Sequence, residues 1–280
     1  MVLIDTAWIL HKNYNAMKLT TEVDGETKPT GHLYGSSRLL TSIMNNRDWT
    51  VVYVMDDVPQ SKLEVMADYK SGRAKAGFSL GKAMDELECL VTPFRGVYSA
   101  RSEGNEADDI MATMAVGLSK LGQEVIILSG DNDMLPMISE KVKIARKLTK
   151  NKIEYVEQEY IKDKYGVEST GIALYKVLMG CDSDGVPPMT GMNKKTAIKL
   201  IGKYNEDVDS FLGKEWKNED LKEEALRNHE LTRLRKDVEV RIIKRTPEEG
   251  LEVANKYKLK SIAGMLASLV TQTTGVGNGW

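Results

Sequence analysis

The chain has 280 residues, 41% of them hydrophobic and 29% charged, enough for a packed core in one large domain or in a domain with a smaller companion. No run of eighteen apolar residues occurs, which excludes a membrane-spanning helix; a formal net charge of −2 excludes a uniformly basic surface and leaves any grip on a polyanion to local clustering. The opening MVLIDTAWILHKNY has no basic n-region, so no signal peptide is expected, and the chain is expected to be cytoplasmic with its two cysteines, Cys89 and Cys181, reduced.

In chain order, VLID (2–5) is a short apolar run that ends in Asp5. HLYGSSRLLTSIM (32–44) carries apolar residues at helical spacing. VVYVMDD (51–57) repeats the strand pattern and ends in Asp56 and Asp57. DYKSGRAKAGFSLGKAMDEL (68–87) gathers Lys70, Arg73, Lys75 and Lys82 around Tyr69 and Phe78, with glycines that make one continuous helix poor. EADDIMATMAVGLSKLG (106–122) predicts a second amphipathic helix, and EVIILSGDND (124–133) a third strand, ending in Asp131 and Asp133. Such β-branched apolar runs predict buried parallel strands. ARKLTKNKIEYV (145–156) predicts a hairpin turning at Lys150 and Asn151. Beyond about residue 157 only VEVRII (238–243) reads as a strand, and the remainder predicts a smaller helical unit. The alternation predicts an α/β fold: a mostly parallel sheet with helices on both faces. The tail TQTTGVGNGW is expected to be a flexible end.

Three strands ending in Asp have a chemical consequence. The carboxyl ends of parallel strands lie along one edge, where ligands bind, so Asp5, Asp56, Asp131 and Asp133 should converge. Glu106, Asp108 and Asp109 add acids at a helix start. Capping, at roughly 0.3–1 kcal/mol, accounts for one or two of those three but not for the strand ends. Close carboxylates repel unless cations neutralise them, and hard oxygen donors suit Mg²⁺ or Mn²⁺. A pair of ions roughly 3.5–4 Å apart can stabilise both the attacking and the leaving oxygen of a phosphodiester. The basic stretch at 68–87 is by itself a solvated loop; beside such a site it can grip a single-stranded backbone.

Together these motifs resemble the structure-specific 5′-nucleases: flap endonucleases, phage 5′→3′ exonucleases and the 5′-nuclease domain of bacterial DNA polymerase I. The likeness rests on LID (3–5), HLYGSSRLL (32–40), YVMD (53–56), YKSGRA (69–74), EADD (106–109) and SGDND (129–133), followed by GCDSDGVPPMTGMNKKTA (180–197), which resembles the family's helix-three-turn-helix. It covers about residues 1–205; residues 206–280 match only in being helical.

The resemblance implies a PIN-like (Rossmann-like) nuclease domain over 1–160 with an arch or clamp at about 58–88. A helical DNA-binding subdomain would cover 161–280, with the helix-three-turn-helix at about 178–203. It implies two Mg²⁺ ions, with Mn²⁺ as a substitute, and K⁺ at the helix-three-turn-helix. Asp5, Asp56, Glu106, Asp108 and Asp131 would hold or shape the first metal position; Asp133 with Asp182 and Asp184 would serve the second. Lys70 and Arg73 would bind the scissile phosphate, Tyr69 would stack on a terminal base, and Lys75, Gly191, Lys194, Lys195 and Thr196 would contact DNA. The implied partners are branched or nicked DNA, RNA–DNA hybrids and replication proteins, bound by a monomeric, stand-alone enzyme of phage or small-genome type.

Three positions depart from the family's pattern. Cys181 stands where the polymerase-linked members carry Asp, and Cys is a poor Mg²⁺ ligand; Asp182, one residue on, is expected to serve instead, beside Asp184. Pro188 and Asn193 stand where the family has Gly, so the turn must be rebuilt at Pro188, whose φ is fixed. The readings left open are a PIN-type ribonuclease and a DNA-structure-binding protein with impaired catalysis.

Overall fold

In the computed structural model, which describes residues 1–44, 49–72 and 77–275, strand β1 (Val2–Asp5) runs into helix α1 (Thr6–Ala16). A small hairpin of β2 (Thr20–Val23) and β3 (Glu26–Pro29) and helix α2 (Gly31–Met44) follow. Next come β4 (Val51–Val54), α3 (Gln60–Val65), α4 (Leu80–Val91) and β5 (Val97–Arg101). Helix α5 (Ala107–Lys120) leads to β6 (Val125–Leu128), β7 (Val142–Leu148) and β8 (Ile153–Tyr155). A helical stretch contains α6 (Gln158–Tyr165), α7 (Ile172–Met179), α8 (Lys194–Lys203), α9 (Val208–Leu212) and α10 (Glu219–Thr232). The described chain closes with β9 (Arg241–Ile243), α11 (Pro247–Lys256) and α12 (Lys260–Gly275).

The main sheet has the order β8-β7-β6-β1-β4-β5-β9. Its five central strands are parallel, and β8 and β9 close the two edges antiparallel. From β1 the chain steps outward to β4 and β5, then crosses back to β6 on the other side of β1. That reversal creates a switch point between β1 and β6, where the carboxyl ends of strands open a crevice. Successive side chains of a strand face opposite ways. Accordingly Val2, Ile4, Val51 and Tyr53 join the core beneath α1, α2 and α4, whereas Leu3, Val52 and Val54 pack on α5 through Ile110, Met111 and Ala112.

The stretch from α6 to α10 has a separate core around Leu174, Ile201 and Phe211. The helical subdomain expected over 161–280 is not all of one piece with it: residues 241–275 return to the sheet. Strand β9 pairs with β5, and Ala254, Ile262 and Leu266 enter the same core as α4. No described helix is long and apolar enough to cross a membrane.

Candidate metal centre

At the switch point the strand ends deliver their acids to an open cleft of about 890 Å³, bordered by Asp5, Asp56, Lys70, Glu106, Asp108 and Asp131. Two of these acids also cap helices. Asp5 is buried at the end of β1 and accepts from the Trp8 amide of α1 at 2.9 Å and from the Ser129 hydroxyl at 2.7 Å. Asp56 accepts from the Ala107 amide at 2.8 Å and so caps α5 from a neighbouring strand. Capping and site-building therefore share the same carboxylates.

Oxygens of Asp108, Asp131 and Asp133 lie within 4.8 Å of one another. Asp108 comes from the first turn of α5; the other two come from the loop after β6. That loop is tightly seated. A side chain at Gly130 would collide with the Trp8 indole, 1.9 Å from an added Cβ. Arg146 of β7 donates to the carbonyls of Ser129 and Asp131 at 3.0 and 2.9 Å and to Asn132 Oδ1 at 2.6 Å. The Asp133 amide donates to Asp131 at 2.9 Å.

The electrostatics of this group are unbalanced. Burial, then the Asp56 and Asp131 charges, push Asp5 up to about 7. Burial and Asp133 raise Asp131 to about 6. Asp108 is driven well above the ordinary carboxylate range by burial and by Asp131, Asp133 and Asp5. Carboxylates held this close, against their own repulsion, could hold a divalent cation, and an all-oxygen donor set suits a hard one.

Among the described residues three lysines moderate the charge, and two of them, Lys62 and Lys176, are not among the expected site residues. Lys62, 5% exposed, places its ammonium 2.6 Å from Glu106, and Lys70 pairs with the same carboxylate. Burial works to raise the Glu106 pKa, but the two ammonium groups outweigh it and hold it low. Lys176 lies 2.6 Å from Asp133, whose pKa is lowered despite burial. The signal for Lys176 was present in IALYKVLM: a single cation in an otherwise apolar helix is buried only with a partner.

The predicted acids do not all converge. Asp109 is buried on α5 and accepts from the Arg235 amide at 2.8 Å, outside the three-carboxylate group. Where a second metal position is expected, the donors within 4.8 Å of one another are Asp133, Cys181 and Asp184. Asp182, expected there in place of Cys181, is exposed and absent from that group. The turn explains this. Gly180 has φ +69°, and an added Cβ would lie 2.2 Å from the Val186 carbonyl oxygen. Cys181 then bridges Val186 through paired backbone bonds of 2.8 and 3.0 Å, which directs Cys181 rather than its neighbour toward Asp133. Burial, with Asp133 next, pushes the Cys181 thiol up to about 11.

Tyr69 is 5% exposed and packs with Val186 and Leu231. Its hydroxyl donates to Asp184 at 3.2 Å, so in this arrangement its ring is a packing element rather than an open platform for a base. Phe78 stacks on His32, with ring centroids 4.4 Å apart. Lys70 has φ +60°, and its amide donates to the Asp184 carbonyl at 3.2 Å, tying the basic segment to the turn. Arg73 and Lys75 lie outside the described residues. Gly191 has φ +74° and open space around it, and Lys194, Lys195 and Thr196 are exposed at the start of α8, where Asn193 accepts from the Thr196 amide at 3.0 Å.

The family model described as "5'-3' exonuclease, N-terminal resolvase-like domain" matches residues 1–166. The 5'-3' exonuclease of Aquifex aeolicus is 31% identical over 244 residues, covering 83% of this chain and 81% of that protein. DNA polymerase I of Bacillus subtilis is 29% identical over 255 residues; the match covers 86% of this chain but spans only 28% of the polymerase. The T5 D15 protein, crystallised with metal ions, superposes with a TM-score of 0.59 at 14% identity, over 96% of this chain and 98% of that one, and shares the fold.

Proposed function

The chain belongs to the 5′-3′ exonuclease family, and from that membership we propose that it is a divalent-metal-dependent 5′-nuclease. As exonuclease and flap endonuclease it hydrolyses phosphodiester bonds near the 5′ ends of branched, nicked or duplex DNA and of RNA primers, in replication or repair. The observation that carries this reading is the convergence of Asp108, Asp131 and Asp133 within 4.8 Å at the switch point, a charge density that calls for a cation. The donors there fit Mg²⁺, with Mn²⁺ as a substitute; Asp5, Asp56 and Glu106 shape this position, and Asp133 and Asp184 serve a second. Ions held there neutralise the carboxylates and supply Lewis acidity to a phosphodiester.

The protein's own groups have separable tasks. Lys70, together with Arg73, meets the scissile phosphate and stabilises negative charge that develops on it. Lys62 keeps Glu106 ionised from its buried side. Arg146 fixes the loop that carries Asp131 and Asp133. The amides at the start of α8, with Lys194, Lys195 and Thr196, hold duplex phosphate without reading sequence, and K⁺ at the Gly191 turn belongs to the same reading. The backbone bond from Lys70 to Asp184 ties the turn before α8 to the cleft, so the gripped duplex is set at a fixed distance from the cut. The protein works as a monomer on branched or nicked DNA and RNA–DNA hybrids, alongside replication proteins.

The test is a labelled 5′-flap duplex, a blunt duplex and single-stranded RNA, each incubated with Mg²⁺ and with EDTA. Cleavage of the flap or the duplex end with Mg²⁺ only is the expected result. No cleavage of either DNA sinks the proposal, and cleavage confined to RNA favours a PIN-type ribonuclease. Binding should weaken with added salt as phosphate contacts release counterions.

A further inference from the structure

We propose that Cys181 is a ligand at the second metal position, making it a mixed thiolate–carboxylate site that prefers borderline-soft divalent ions such as Zn²⁺ or Co²⁺ over Mg²⁺. This rests on the metal-centre reading above and deepens it. Two donor groups share Asp133: Asp108–Asp131–Asp133, which is all oxygen, and Asp133–Cys181–Asp184, which contains sulfur. The shared carboxylate makes the positions adjacent, yet their chemistry differs. Thiolate is a soft donor that favours zinc-like ions, whereas Mg²⁺ requires oxygen.

The thiol is held in place rather than incidental. Gly180 and the Cys181–Val186 bridge fix its backbone, and the Ser183 hydroxyl lies 3.1 Å from Sγ. The carboxylate beside it, Asp182, is exposed and takes no part. A demand for positive charge at this position is visible independently. Lys176, 7% exposed, sits 2.6 Å from Asp133 and also acts electrostatically on Cys181. As a divalent ion binds, the thiol proton leaves to solvent and a sulfur–metal bond forms; no oxidant or reductant is required.

Co²⁺ alone, titrated into the full metal-free chain, provides the test. Co²⁺ bound to thiolate gives a sulfur-to-metal charge-transfer band in the near ultraviolet, whereas Co²⁺ bound to oxygen alone gives only weak visible bands. The band is expected in the wild type and in Cys89→Ser, and is expected to be lost in Cys181→Ser. Cys181→Asp should also lose it, with Zn²⁺ affinity at this position falling at least about tenfold and Mg²⁺ affinity rising. Circular dichroism checks that each variant is folded. Visible bands without the charge-transfer band in the wild type overturn the role of Cys181 while leaving the metal centre intact. A charge-transfer band that survives in folded Cys181→Ser overturns it as well. Absence of any Co²⁺ binding to the wild type overturns both this inference and the metal-centre reading.

Discussion

Two clusters of buried or half-buried acid in this protein answer the same electrostatic problem in opposite ways. Glu88, fully buried on α4, accepts from the Ser99 hydroxyl at 2.7 Å and from Arg101 and Arg245 at 2.8 Å. Burial alone would raise its pKa, but those partners outweigh it and the pKa is lowered. At the switch point Asp5, Asp108 and Asp131 are raised instead, first by burial and then by the carboxylates beside them. The first cluster is neutralised by the fold and serves the fold, joining α4 to β5 and to the segment after β9. In the second, carboxylate faces carboxylate and the pKa values rise, which is the condition of a site that takes a counter-ion from outside.

The sharpest way to break this contrast is to neutralise one acid in each cluster. Asp131→Asn should lower Mg²⁺-dependent cleavage by at least about 10²–10³-fold, the scale for losing one charge-stabilising group at a reacting centre, with DNA binding retained. Lys70→Ala should cost about as much in single-turnover cleavage. Wild-type rates in either variant would remove the cleft from the reaction. Glu88→Ala should do the reverse, lowering unfolding free energy by roughly 2–3 kcal/mol while the folded fraction keeps its cleavage rate. The loss stays below the ~3–5 kcal/mol of a fully buried pair, because Arg101 and Arg245 are 31% and 37% exposed and stay hydrated. Urea titration and cleavage rates per folded molecule separate the two outcomes.

A smaller effect should appear with pH. An acid whose pKa is raised by folding binds its proton more tightly when folded, so the native state carries more protons than the unfolded chain between the two values. In EDTA the melting temperature should therefore fall as pH rises from about 4, the ordinary carboxylate value, through about 6 for Asp131 and about 7 for Asp5. The expected slope is roughly 2–4 °C per kcal/mol for a chain of this size. Mg²⁺ should flatten the decline by stabilising the ionised forms. Glu88, lowered in the fold, contributes stability above the ordinary carboxylate range and loses it only as pH falls through its folded value. A metal-free protein whose melting temperature is flat or rises over that window would contradict the unbalanced charge.

How much of this was legible depended on whether the signal was local. β1, β4 and β6 were readable because each is a short β-branched run, and the acids at their ends followed from the geometry of a parallel sheet. β5 was not, because VYSAR puts a serine at its centre; Ser99 is buried there only because Glu88, on another element, accepts its hydroxyl. The β2–β3 hairpin carries an Asp24–Gly25 turn, a recognisable hairpin dipeptide that could have been read. The helical character of 247–275 was evident, but its docking on α4 is a tertiary choice that spacing cannot specify. Cys181 and Asp182 are adjacent, and only the left-handed Gly180 and the Val186 bridge decide which of them faces Asp133.

Asp109 lies between the two clusters in character, and its substitution should have the smallest effect. EADD gives no reason to prefer Asp108 over Asp109 as a ligand; one helical step decides. Asp109 is 2% exposed, its pKa is raised by burial, and it accepts from the Arg235 amide at 2.8 Å. In Asp109→Asn the side-chain oxygen can still accept that bond, and no buried charge needs compensation, so stability should change by less than about 1 kcal/mol, the net worth of a single hydrogen bond. Cleavage should stay within a few-fold of wild type, against the orders of magnitude expected for Asp108→Asn. If Asp109→Asn were folded yet as inactive as Asp108→Asn, Asp109 would belong to the metal centre. The contrast between balanced and unbalanced acids would then have to be redrawn to include the second face of α5.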